Sequence, residues 1–200
     1  MAREHMLFRA KDGRRFTLRS VTRGDLGSMV AFANLLADEK RRNSELGVAA
    51  FDRKVTREEE RKFLDRCIEG LAKRRYVSVG AFEGRRMVGN CDVVGRAARD
   101  VKHTGTLGIV LLADCRRIGL GEAMIRRALA GASRTGIWVV DLEVFSSNHA
   151  ARRLYEKVGF REAGVIPKKF QRNGGLVDSV QMYTHLPHKQ YIADGGAPIN

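Results

Sequence analysis

Proline and cysteine are scarce in this chain of 200 residues, at three each, and there is a single tryptophan. Three prolines exclude a polyproline or collagen-like rod. The thiols Cys67, Cys91 and Cys115 are odd in number and form no CxxC pair, so neither a disulfide framework nor a zinc site is expected. Cys67 falls on an apolar helical stripe and Cys91 in a strand-like run, and both read as core. Cys115 stands beside a glycine-containing turn, where a thiol can be reactive but position alone does not make it so. The five histidines, His5, His103, His149, His185 and His188, show no ligand spacing, and no metal is expected. No run approaches the roughly 18 consecutive apolar residues of a membrane span. The amino terminus MAREHMLFRA lacks the apolar stretch and cleavage site of a secretory signal, so a cytoplasmic location is expected and no membrane partner.

Acidic residues are also short: 23 against 37 Lys and Arg, a net charge of +14. The excess lies in arginine pairs, among them Arg14-Arg15, Arg41-Arg42, Arg74-Arg75 and Arg126-Arg127, scattered along the chain. A clustered basic arm would indicate nucleic acid; scattered pairs more often form a solvated surface, although folding can gather them on one face. With 44% hydrophobic and 30% charged residues, the composition is that of one globular domain over residues 1–200. Its core is expected from about residue 15 to 186, and the Gly- and Pro-containing tail 187–200 is expected to fray.

Hydrophobic periodicity divides that core. Phe16 to Val21 alternates as a strand, and Gly24 to Glu39 carries helical spacing. A capping box, Thr56-x-x-Glu59, starts a helix with Phe63, Leu64, Cys67, Ile68 and Leu71 on one stripe. Tyr76 to Phe82 and Met87 to Val94 form an antiparallel hairpin about Glu83–Arg86, and Thr106 to Leu112 continues the sheet. A helix from about Gly119 to Ser133 and a strand from Trp138 to Phe145 follow. Asn148 then caps a short helix that Gly159 ends. Phe160 to Ile166 and Leu176 to Leu186 are read as strands joined by a polar loop, Lys168 to Gly175. The expectation is an α/β fold: a mixed, mostly antiparallel central sheet of about seven strands with helices on both faces.

Between the third sheet strand and the following helix lies Arg116-Arg117-Ile118-Gly119-Leu120-Gly121. Backbone N–H groups at a helix start are unsatisfied and carry the positive end of the dipole, so such a turn can hold an anion. Glycines permit close approach, and the arginines can add charge-assisted donors. On its own the run is equally a plain strand-to-helix turn. Met124 occupies the place of the third glycine of a dinucleotide fingerprint, and no GK[ST] follows.

Arg116-x-x-Gly119-x-Gly121, followed by Asn148-x-x-Ala151-x-x-Leu154-Tyr155-Glu156-Lys157-x-Gly159-Phe160, resembles the two motifs of the GNAT superfamily of N-acetyltransferases, in order and separation. The resemblance extends from about Phe16 to Leu186. Within the family it is similar to the ribosomal-protein-alanine, L-amino-acid and protein N-acetyltransferase branches. It implies acetyl-CoA as cosubstrate and transfer of its acetyl group to a primary amine by direct attack in a ternary complex. The amine could belong to a protein N-terminus, a lysine or a free amino acid.

Residue by residue, the resemblance implies that Val110, Leu111 and Leu112 hold the pantetheine arm on a strand splayed from its neighbour. It gives the turn Arg116, Arg117, Ile118, Gly119, Leu120, Gly121 and Glu122 to the pyrophosphate. Asn148 would hydrogen-bond the pantetheine and Ala151 leave it room, while a backbone N–H near Leu111 meets the oxyanion. Ala113 departs from the proline of many members, which loosens the entry to the turn. Tyr155 is the candidate general acid toward the departing thiolate, since a phenol of pKa about 10 lies above a thiol. Glu143, between Leu142 and Val144 on the opposite sheet face, is the candidate base, against the ordinary reading of a salt-bridged surface group. The acceptor walls would be Lys40 to Val55 and Lys168 to Gly175, whose mixed or positive charge suits a polyamine poorly. A homodimer is left open. The alternative is a noncatalytic CoA-binding module on a nucleic-acid or ribosomal surface.

Overall fold

Alternation and capping organise the chain as the sequence indicates, and long-range pairing decides the rest. The structure, a computed structural model, describes residues 5–42, 51–172 and 174–187. The elements are β1 (Met6–Arg9), β2 (Arg15–Arg19), α1 (Leu26–Arg42), α2 (Arg57–Ala72), β3 (Tyr76–Glu83), β4 (Arg86–Gly95), β5 (Thr104–Leu111), α3 (Leu120–Arg134), β6 (Val139–Phe145), α4 (His149–Lys157), β7 (Arg161–Arg172) and β8 (Gly175–His185). No helix among the described residues is long and apolar enough to cross a membrane.

Eight strands form one sheet in the order β1-β2-β3-β4-β5-β6-β8-β7. Every neighbouring pair is antiparallel except β5–β6. The eighth strand is β1, four residues of alternating half-buried and exposed side chains on the sheet edge. Lys168–Gly175, expected as a loop, is instead largely β7 and its turn into β8: Phe170, Gln171 and Arg172 pair with Val177, Leu176 and Gly175. As an edge strand, β7 is mostly exposed and shows no buried alternation to read. The expected tail lies almost wholly outside the described residues, as do positions 43–50 of the first acceptor wall.

Helices cover both faces. A Cβ on Gly70 of α2 would sit 2.7 Å from Tyr76 Cβ, and one on Gly131 of α3 would sit 2.8 Å from Val77 Cγ1. Consecutive residues of β3 therefore meet α2 and α3 on opposite sides, as the two-residue period of a strand requires. Thr56 and Glu59 cap α2 reciprocally, Thr56 Oγ1 accepting from Glu59 N and Glu59 Oε2 from Thr56 N at 2.8 Å. Phe16, Leu18, Leu36, Leu64, Phe82, Val88, Leu120, Met124, Ile125, Leu142 and Met182 are among the buried core.

Candidate functional site

The site begins where the sheet parts. β5 and β6 pair only at Thr104↔Val139, Gly105↔Val140 and Thr106↔Asp141. Beyond Thr106, β5 stays with β4 as far as Leu111↔Gly89, while β6 stays with β8 as far as Phe145↔Ser179. Each strand follows its antiparallel neighbour, so Leu107–Leu111 is left without a β6 partner and a wedge opens beside it. Val110 and Leu111 lie on this edge as expected; buried Leu112 lies just past it, its N–H donating to Val88 O.

At the end of that edge a short 3-10 turn, Ala113–Cys115, leads into the glycine run. Arg117 (φ 62°) and Gly119 (φ 87°) both adopt the left-handed region. Glycine tolerates it freely, whereas at Arg117 it is a strain of about 1 kcal/mol or more. The first helical hydrogen bond of α3 is Ala123 N to Gly119 O. Among the described residues no backbone carbonyl accepts from the N–H groups of Arg117 to Glu122, so successive donors are left unpaired at the positive end of a 15-residue helix. Such a nest suits a multiply charged anion.

Side chains of this turn, expected beside the pyrophosphate, also have partners within the protein. Arg116 does not present its guanidinium outward. Nη1 and Nη2 clasp Glu39 of α1 at 2.6 and 3.0 Å, and Nε and Nη2 donate to Leu111 O at 3.0 and 2.7 Å. It is a brace fixing the end of β5 to α1 and to the turn. Gly121 is closely packed: a Cβ there would be 3.3 Å from both Leu111 Cδ1 and Leu154 Cδ2. Glu122 is bound to Lys157 (2.6 Å) and Arg126 (3.1 Å), which ties α3 to α4. Lys11 is a residue that sequence reasoning missed. Its N–H donates to Ile118 O at 3.1 Å and its side-chain carbons lie over Gly119, placing an exposed cation beside the nest. Only the β1–β2 turn brings it there, and no local pattern announces it.

Across the wedge stand the residues of the second motif. Asn148 Oδ1 accepts from Ala151 N at 3.1 Å, the N-cap of α4, which leaves its amide N–H groups free to donate. Half-buried Ala151 and Leu154 pack on the core. Tyr155 is buried, with its ring centroid 5.9 Å from that of Phe160. Burial, and then the Cys91 thiol of β4, raise its pKa above the usual phenol value, so it stays protonated and able to donate. The three thiols are likewise raised by burial, Cys67 to about 11, which makes Cys115 unreactive rather than activated.

Glu143 projects away from buried Leu142 and Val144, as expected. Its Oε2 is held by Lys169 of β7 and by Gln181 Nε2 at 2.8 Å. Burial raises its pKa, but these partners outweigh it and the net direction is down. A carboxylate held ionised in an ion pair is a weak base, so the structure favours the salt-bridged reading of Glu143.

On the same sheet face, between the sheet, α1 and α2, is a cavity of about 580 Å³. Met29, Phe32, Phe63, Met87 and Val110 line it, with Asp52, Arg53, Glu59, Glu60 and Asn90 as polar groups. Val110, on the free edge of β5, forms part of the cavity wall. Behind Asn90, its Nδ2 donates to Asp92 Oδ2 at 2.6 Å. Burial pushes Asp92 up to about 6, against the pull of the Tyr76 hydroxyl, the Asn90 amide and the Ser78 hydroxyl. The signal for Glu60 was present in the sequence: it sits three, four and seven residues before Phe63, Leu64 and Cys67, on the apolar stripe of α2.

Known proteins agree with this arrangement. A segment of 69 residues, 34% of this chain, is 35% identical to [Ribosomal protein bS18]-alanine N-acetyltransferase of Escherichia coli (strain K12). It covers 47% of that protein, so the chain spans about half the length of the curated relatives it matches. Among solved structures, an acetyltransferase of the GNAT family from Streptococcus pneumoniae superposes with a TM-score of 0.76 at 24% identity, over 86% of this chain and 99% of the other. The acetyltransferase yncA from Salmonella typhimurium, solved with acetyl-CoA, gives 0.72 at 19%, over 87% and 96%. These likenesses establish the shared fold. Residues 28–160, which run from α1 through the wedge, the turn and Tyr155, match the Acetyltransferase (GNAT) family, and the chain belongs to it.

Proposed function

We propose that the protein is an acetyl-CoA-dependent N-acetyltransferase that moves the acetyl group to a primary amine by direct attack in a ternary complex. The observation that carries this is the conjunction of an unpaired β5 edge with a nest of free N–H groups at its end. The nest suits the pyrophosphate, reinforced by Lys11. The free edge at Val110 and Leu111 offers backbone groups to the amides of the pantetheine arm, which Asn148 can meet from the other side. This lays the thioester along β5 toward Val110, where the 580 Å³ cavity admits the amine.

Tyr155 serves as the general acid. Its raised pKa keeps the proton until a thiolate departs, and proton donation of this kind contributes about 10² to 10⁴ in rate. The curated relatives are named for acetylating the alanine of a ribosomal protein, which supports a protein N-terminus as acceptor and the cytoplasm as location. A noncatalytic module would need neither a phenol in the wedge nor a cavity walled by its edge strand. The test is thiol release from acetyl-CoA across a panel of amines, amino acids and peptides, with products weighed by mass spectrometry. Release with none of them, alongside tight CoA binding, would overturn this reading.

A further inference from the structure

Twenty-three acidic residues share this chain with 37 basic ones, and most of the described carboxylates are ion-paired. Asp25 pairs with Arg19, Glu39 with Arg116, Glu59 with Arg53, Asp52 with Lys40 and Glu143 with Lys169. Glu60 is different. It is half-buried, lines the cavity of about 580 Å³, and among the described residues has no hydrogen bond or ion pair. Desolvation alone acts on it and raises its pKa. Keeping a half-buried carboxylate without a partner is unfavourable, and a ligand cation would complete it. The neighbouring wall carboxylates are ion-paired, Glu59 by Arg53 and Asp52 by Lys40.

We propose that this cavity is the acceptor site, that Glu60 receives the acceptor's ammonium, and that the acceptor is an α-amine beside a bulky apolar side chain. The inference rests on the acetyltransferase reading above. Met29, Phe32, Phe63 and Met87 surround the space next to Glu60, enough for an aromatic or long aliphatic group, whereas an alanine methyl leaves most of it empty. A carboxylate is a weak base, and an α-ammonium, at about 7.7–8.0 against about 10.4 for lysine, gives up its proton about 300-fold more readily. Asn90 lines the same cavity, and with its Nδ2 tied to Asp92 its Oδ1 is the atom that can accept from the amine.

The step balances. Glu60 takes one proton from the ammonium, and the freed nitrogen pair forms a bond to the acetyl carbonyl carbon as the carbon–sulfur bond breaks. The departing sulfur takes a proton from Tyr155, which regains one from the new amide nitrogen through solvent. Glu60 returns its proton to water, leaving the amide, CoA thiol and one proton.

The test measures kcat/KM by thiol release for Phe-, Leu-, Met-, Ala- and Nα-acetyl-Lys-first peptides and the matching free amino-acid amides. The same series is run on Glu60→Gln and Glu60→Asp, with CoA affinity by calorimetry. Phe, Leu and Met acceptors are expected to exceed Ala by at least about 30-fold. Peptide against free amide tells which source of that α-amine is used. Glu60→Gln is expected to lose about 10²-fold or more in kcat/KM for the amine at unchanged CoA affinity, with partial recovery in Glu60→Asp. Equal use of Ala and Phe acceptors, preference for the lysine ε-amine, or full activity of a folded Glu60→Gln overturns the inference while leaving the acetyltransferase reading intact. Release with no amine at all overturns both.

Discussion

Replacing Asp92 by Asn should stabilise the protein, and only above about pH 5. The side chain lies between β3 and β4 under α2; Oδ2 accepts from Asn90 at 2.6 Å, and buried Oδ1 has no hydrogen-bond partner. Burial raises its pKa from 3.8 to about 6. A carboxyl raised on folding binds more protons in the native state between those values, so stability falls as pH rises from about 4 to 6 and stays low above. The separation of about two units corresponds to about 3 kcal/mol. An amide avoids this but exchanges an acceptor for a donor beside Asn90, so a net gain of about 1–2 kcal/mol at pH 7.5 is expected. For a domain of this size that is about 3–6 °C in Tm. The assay is thermal unfolding of wild type and Asp92→Asn in parallel from pH 4 to 8. The difference between them should vanish near pH 4 and plateau above 6.5. A variant that is less stable at pH 7.5, or whose gain is the same at every pH, would refute the argument. Its acetylation rate should fall despite the added stability, because Asn90 loses the anion that orients it.

Four more expectations concern the wedge and its turn. Tyr155→Phe should lower kcat by about 10² to 10⁴ with CoA affinity within about twofold, read by steady-state kinetics and calorimetry. Arg116→Ala should leave Glu39 half-buried without its partner and Leu111 O unbonded, lowering stability by about 1–3 kcal/mol and weakening CoA binding about tenfold. Unchanged denaturant midpoint and CoA affinity would refute its role as a brace. Gly119→Ala places a side chain at φ 87°, lowering stability by about 1 kcal/mol and distorting the nest, which CoA titration and chemical denaturation would read. Lys11→Ala should weaken CoA binding about threefold to tenfold at low salt and less in 0.5 M salt, the dependence of an exposed ion contact.

Local pattern carried the sequence reading far. Thr56 and Glu59 formed the capping box they spell, because both partners lie within one turn of each other. Tyr76–Glu83 and Arg86–Gly95 paired as a hairpin about the expected turn, and Asn148 capped α4. Buried strands and amphipathic helices are legible because one face is apolar. The edge strands β1 and the far half of β7 were not, since exposure removes that contrast and leaves only backbone pairing, invisible in residue type.

The sequence by itself determined the elements that have one buried face, and the family to which Arg116, Gly119, Asn148 and Tyr155 point. Only the tertiary structure decided how those residues are used. Arg116 met Glu39, 77 positions away, and became a brace; Glu143 met Lys169 and became an ion pair; Lys11 arrived over Gly119 through an edge hairpin. Glu60 came to lie half-buried in the cavity between α1 and α2, without a side-chain partner among the described residues. The reason is electrostatic: whether a charged side chain binds, braces or accepts a proton depends on which opposite charge folding places within about 4 Å and how much water remains. Neither is a property of neighbours in the chain.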